Sequence, residues 1–178
     1  MSGRWSPSRI VVLAVLIALT TVLTLVPKLP IPGTQGYVSL ADVGVYFAAF
    51  TFGPIFGAVA GGVGTALADT LGGFAMFAPA SLLIHGLQGW VSGRLGYRRS
   101  RRAQVTGYLV SSAIMFGGYF LAEVVVYSYG IGAALTELPY NVVQALLGGL
   151  IALPLAAAIR RAWPPIDALG QPRTWEER

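Results

Sequence analysis

Six apolar runs, each closed by proline, glycine or a cluster of arginines, divide this chain, and they restrict its fold more than any other feature. They cover residues 10–26, about 40–53, 54–71, 80–95, 104–129 and 139–159. A helix rises about 1.5 Å per residue, so runs of 17 residues or more approach the roughly 30 Å needed to cross a bilayer core. The second run is shorter and must be enclosed by its neighbours or tilted. A water-soluble fold would need polar surface to cover these runs. Only 11% of the 178 residues are charged, against about 25% in soluble domains, and mean hydropathy is +0.68. Lipid solvates such a chain and water does not. The sequence therefore predicts an all-α integral membrane protein, a compact bundle of six transmembrane helices over residues 1–162, followed by a polar cytoplasmic tail over residues 163–178.

The first run follows Arg4 and Arg9 and resembles a secretion signal, but Val26-Pro27-Lys28 follows it and no small-residue cleavage pattern closes it. It reads as the first membrane helix. Residues 27–36 (PKLPIPGTQG) hold three prolines and two glycines, the composition of a stiff ordered loop. Residues 74–79 read as an apolar loop, and a glycine-containing loop leads to Pro139. The tail reads as mobile.

Orientation follows from the arginines. Arg4 and Arg9 precede the first run. Arg94, Arg98, Arg99, Arg101 and Arg102 separate the fourth from the fifth, and Arg160 and Arg161 follow the sixth. With six crossings all three clusters fall on one side, so both termini are expected in the cytoplasm of a multi-pass plasma-membrane protein. Orientation then explains the net charge of +5, and nucleic-acid binding is not expected. There is no cysteine and His85 is the single histidine, which excludes a disulfide framework and a multi-histidine metal site. No phosphate-binding loop, metalloprotease motif or nucleophile elbow occurs. Neither a metal nor a cofactor is expected, and any concentrative transport must draw energy from a partner or an ion gradient.

Small residues recur at four-residue spacing: Gly53, Gly57 and Gly61; Gly89 and Gly93; Gly148, Ala152 and Ala156. In lipid this spacing lets helix backbones approach closely. Ala14 and Ala18 form another such pair, facing either a helix of the same chain or a partner protein.

Polar side chains at membrane depth are costly and mark candidate sites. Glu123 has Tyr119 and Tyr127 at i−4 and i+4, one helical stripe able to stack on a flat ring and accept hydrogen bonds from it. Asn141 and Gln144 share a face and offer both donors and acceptors. His85 and Gln88, with Ser81 one turn earlier, form a third group. Asp69 reads as an anchor for the first loop, where Gln35 and Tyr37 could cover a site. Asp42 stands in the first turn of its helix, where a carboxylate suits the dipole. These groups gather at the end away from the arginines.

In order along the chain, Ala14 with Ala18, Gly36-Tyr37-Val38-Ser39-Leu40-Ala41-Asp42, Phe52-Gly53-Pro54-Ile55-Phe56-Gly57, Gly64 through Asp69, Ala78-Pro79-Ala80-Ser81, Gly118-Tyr119 with Glu123, and Pro139-Tyr140-Asn141-Val142-Val143-Gln144 resemble a known pattern. It is that of the substrate-binding S component of energy-coupling factor (ECF) vitamin transporters, in particular the riboflavin, hydroxymethylpyrimidine and pyridoxine-like group. The resemblance covers residues 10–161. It implies a binding protein, not an enzyme, that holds one water-soluble vitamin or precursor in an outward-facing pocket. Gln35, Tyr37, His85, Gln88, Tyr119, Glu123, Tyr127, Asn141 and Gln144 are the expected substrate contacts. It also implies that Ala14 and Ala18 dock on a transmembrane coupling protein, the T component, and that two cytosolic ATPases complete the importer. Toppling of the S component in the membrane would carry the pocket inward. Three other readings compete: a membrane enzyme acting on a lipid or isoprenoid, a ligand-free assembly subunit, and a solitary transporter driven by ion flux.

Overall fold

Helix α1 (Pro7–Leu25) starts at Ser6, whose hydroxyl accepts the Arg9 backbone N–H at 3.4 Å, which satisfies one of the four donors that a helix start leaves open. The computed structural model describes residues 6–169 and 171. Arg4 and half of the tail lie outside the described residues. After α1 a loop carries two short antiparallel strands, β1 (Leu29–Pro30) and β2 (Tyr37–Val38), with Leu29 opposite Val38. This ladder is a departure from the all-helical expectation, although the segment is the ordered loop its prolines imply. Helices α2 (Ala41–Phe52), α3 (Pro54–Leu71), α4 (Ala78–Gly96) and α5 (Arg101–Leu121) follow. A π-helical turn, Ala122–Val126, extends α5. Helix α6 runs over Ile131–Ala162 and a one-turn α7 over Ile166–Leu169.

The bundle buries many polar side chains beside an apolar core and turns an apolar surface outward. Asp42, Thr65, Gln88, Ser92, Ser111 and Glu123 are buried, while Leu83, Leu150, Val125 and Leu71 are exposed. A protein surrounded by water arranges these types the other way round. Among the described residues, four helical stretches are long and apolar enough to cross a membrane: residues 7–25, 54–71, 101–126 and 131–162. Helix α2 has 12 residues, about 18 Å of rise, and all of them are buried. It is the central element, packed against α1, α3, α4 and α6.

Glycines set the closest contacts. A Cβ on Gly57 of α3 would come 2.6 Å from the Gly89 carbonyl oxygen of α4, so only hydrogen fits there. Gly61 meets the His85 backbone and Gly148 of α6 packs on Asp42. We expect Gly57→Leu to destabilise the bundle by about 3 kcal/mol through overpacking, seen as a lower Tm in detergent. An unchanged Tm would contradict so close a crossing.

The arginine-rich ends coincide. The Arg9 guanidinium lies over the Phe56 ring at 5.5 Å. Arg160 donates to the carbonyls of Phe50 and Thr51 at the end of α2, at 2.5 and 3.3 Å, and pairs with Asp167 at 3.0 Å. Arg160 thus satisfies carbonyls that a helix terminus leaves open. Helix α7 belongs to the segment expected to be mobile, yet Ile166 is buried and Gln171 donates to the Tyr97 hydroxyl.

Three sequence expectations need correction. The sixth helix begins at Ile131, not at Pro139, so Pro139 and Pro154 are interior. A membrane helix tolerates interior proline because neighbouring groups can satisfy the freed carbonyl. The fifth helix is not α-helical to its end. In the π turn Tyr127 N–H bonds back five residues to Ala122, which rotates Tyr127 off the stripe that i+4 spacing gives it. Pro79 also lies inside α4 and not in the preceding loop.

Candidate functional site

At the end away from the arginines the first loop, the end of α3, the start of α4 and the inner faces of α5 and α6 enclose a cleft of about 450 Å³, open mouth included. Each helix brings its polar residue there because the alternative is lipid.

Two ties cross the mouth. The Gly36 N–H of the loop donates to Glu137 Oε1 of α6 at 3.0 Å. The Tyr37 hydroxyl donates to Asp69 Oδ1 of α3. Burial, and then the Asp69 carboxylate beside it, push the Tyr37 phenol far above its usual range, so it stays protonated and remains the donor. Lys28 braces the same loop: its ammonium lies 4.6 Å from the Tyr37 ring and 4.2 Å from the Phe74 ring and donates to the Gly72 carbonyl. Asp69 therefore does anchor the first loop. Its other oxygen, Oδ2, is buried and makes no hydrogen bond among the described residues.

In the middle of the cleft the hydroxyls of Ser81 and Tyr119 are 2.6 Å apart, and the His85 ring meets the Tyr119 ring edge-on, centroids 5.6 Å apart. Phe77 and Asn141 complete the wall.

The floor is an amide and carboxylate network. Gln144 Oε1 accepts the Ser39 N–H at 2.9 Å, and its Nε2 donates to Asp42 Oδ2 at 2.8 Å. Gln88 Nε2 donates to Asp42 Oδ1 and to the Tyr46 hydroxyl, the latter at 2.9 Å. His85 Nδ1 lies 2.6 Å from Gln88 Oε1. Asp42 thus does more than complement a helix dipole: it gathers two amides beneath the cleft.

Of the side chains picked out in the sequence, Tyr37, His85, Tyr119, Asn141 and Gln144 line the cleft. Gln88 lies below it, fully buried. Glu123 is not in the lining: it is buried against the Glu137 carboxyl, and its Oε2 has no hydrogen-bond partner among the described residues. Gln35 is exposed at the loop surface. Tyr127 has turned away: its hydroxyl donates to the Met76 carbonyl, and it stacks on Tyr129. Asp69 and Ser81, noted in the sequence beside the site but not among the expected substrate contacts, also line the cleft, and so does Glu137. Glu137 could have been found, since Glu137, Asn141 and Gln144 stand at i, i+4 and i+7 on one face. The mistaken helix start at Pro139 concealed that stripe.

Residues 4–161 match the family model described as "ECF-type riboflavin transporter, S component". The chain belongs to this family. It is 37% identical over 154 residues to the thiamine precursor transporter HmpT of Lactococcus lactis subsp. cremoris (strain MG1363), a match covering 86% of this chain and 88% of that one. It is 33% identical over 147 residues to an uncharacterised protein of the gap 3′ region of Pyrococcus woesei, covering 82% and 97%. Its fold is similar to that in "Structure and mechanism of the S component of a bacterial ECF transporter", with a TM-score of 0.65 and 22% identity, over 86% of this chain and 96% of that one. This S component is accordingly a multi-pass membrane protein and the substrate-binding subunit of a vitamin-type importer. Polar groups from six elements, Thr24 of α1 included, converge on the cleft in this S component.

Proposed function

We propose that this S component captures a small, hydrogen-bond-donating nitrogen heterocycle of the hydroxymethylpyrimidine type in the cleft. Uptake then requires a membrane T component and two cytosolic ATPases. The observation that carries the reading is Asp69, which lines the cleft and whose buried Oδ2 has no hydrogen-bond partner among the described residues. A buried acceptor without a partner costs about 1–3 kcal/mol, recovered when a ligand N–H or O–H fills it. An amino group and a hydroxymethyl group on one aromatic ring supply such donors, and Tyr37, Phe77 and Tyr119 supply flat apolar area. The likeness to HmpT supports the same class. A flavin is a larger ring system richer in carbonyl acceptors, which suits this set of acceptors less well.

In this reading all six long helices cross the membrane, α2 shielded by the others, with both termini in the cytoplasm and the cleft facing outward. The gathering of Arg9 and Arg160 at the opposite end supports that orientation. Ala14 and Ala18 dock on the T component. Both are exposed on α1, among the exposed Val11, Val15 and Leu19, while Thr21 on the inner side bonds the Gly64 carbonyl at 3.0 Å.

Cells producing the chain with a T component and both ATPases should accumulate labelled hydroxymethylpyrimidine, and unlabelled riboflavin in tenfold excess should compete poorly. Accumulation that persists without the ATPases would favour an ion-driven carrier. Efficient competition by riboflavin would move the substrate to the flavin class.

A further inference from the structure

Asp42 touches neither the mouth nor the wall of the cleft, yet it fixes what the floor presents. A carboxylate has no hydrogen to give, so both amides facing it must turn their Nε2 groups inward. For Gln88 that end is held twice, by Asp42 Oδ1 and by the Tyr46 hydroxyl. Turning the amide over would set a carbonyl oxygen against a carboxylate in a fully buried site, at the full cost of unpaired polar groups. Gln88 Oε1 must therefore point the other way, to His85 Nδ1 at 2.6 Å. A carbonyl oxygen only accepts, so Nδ1 carries the hydrogen. In the neutral ring the hydrogen bond at one imidazole nitrogen sets the role of the other. His85 makes this one hydrogen bond among the described residues, and its ring lines the cleft. What it offers the cleft is Nε2.

We infer that Asp42 is a specificity-determining positioning residue: acting through Gln88 it holds the His85 proton on Nδ1 and keeps Nε2 a bare acceptor for an N–H or O–H of the bound heterocycle. The ligand part of this inference rests on the substrate class proposed above. The groups facing the His85 ring are Gln88 from its own helix, Tyr119 from α5 and Asp69 from α3. With Nε2 bare, the floor acceptor joins Asp69 Oδ2 on the wall, and a ligand with two separated donors satisfies both. A ligand presenting a carbonyl at that point meets a lone pair.

His85 is the single histidine in the chain, so its ring nitrogens can be read without assignment. Protein labelled with ¹⁵N-histidine, in nanodiscs and without ligand, should show Nδ1 protonated and Nε2 bare at neutral pH. In D42N the Gln88 amide is free to turn, and the proton should shift toward Nε2. Affinity for hydroxymethylpyrimidine should fall about ten-fold, the equivalent of one hydrogen bond. Gln88→Leu removes the relay without altering the carboxylate, should shift the proton the same way, and does not depend on D42N folding. A wild-type ring protonated on Nε2 or on both nitrogens would overturn the inference. So would either folded variant with the wild-type ring state. The ring is read without ligand, so it stands apart from the substrate assignment, which fails if the wild-type chain has this ring state and binds no hydroxymethylpyrimidine.

Discussion

Asp69→Asn should weaken binding of hydroxymethylpyrimidine about 100-fold while leaving the bundle folded. The substitution keeps size and shape. Asn Oδ1 can still accept from the Tyr37 hydroxyl, so the first loop keeps its anchor. The other position changes from a bare carboxylate oxygen to an NH₂ group, which sets a donor against the ligand's donor. A hydrogen bond to a charged group is worth about 1.5–3 kcal/mol, and the unpaired donor left behind adds its own cost. Near 3 kcal/mol the two together give the 100-fold loss. Titration calorimetry of the purified variant measures it, with Tm as the check on folding. Unchanged affinity would remove Asp69 from the ligand's contacts and leave it as a loop anchor alone.

The second large effect concerns uptake and not binding. Ala14→Trp with Ala18→Trp should abolish transport in cells and co-purification of the T component, with ligand affinity unchanged. Both alanines are exposed on the outer side of α1, and small residues at four-residue spacing let another backbone approach closely. Two indoles there hold a partner helix several ångströms away. They point away from Thr20, Thr21 and Thr24, which pack into the bundle. Transport by the double variant at the wild-type rate would place the coupling surface elsewhere. Loss of binding as well would mean that this face of α1 supports the cleft.

What could be read from the sequence depended on how local the determining physics is. Helix α3 begins at Pro54 and ends before Gly72-Gly73, as proline and glycine at those positions dictate. The enclosure of α2 followed from its length against the thickness of a bilayer. Pro139 misled, because the same residue starts one helix and sits within another, and the difference lies in what surrounds it. The π turn left no mark in the residue types, so Glu123 and Tyr127 were placed on a stripe that the backbone breaks. Tyr119, His85, Asn141 and Gln144 reached the cleft because each is polar at membrane depth, a signal that needs no tertiary knowledge. Asp42 was seen correctly as a first-turn carboxylate. That it joins Gln88 to Gln144 depends on three helices meeting, which no spacing within one segment encodes.

The account depends most on the cleft holding a donor-bearing heterocycle without help from other subunits. Equilibrium binding of hydroxymethylpyrimidine to the purified chain alone, in detergent and free of T component and ATPases, tests that directly. The expected result is saturable binding of one molecule per chain, with riboflavin displacing it only at far higher concentration. No saturable binding by the folded chain, or tighter binding of riboflavin, would contradict it.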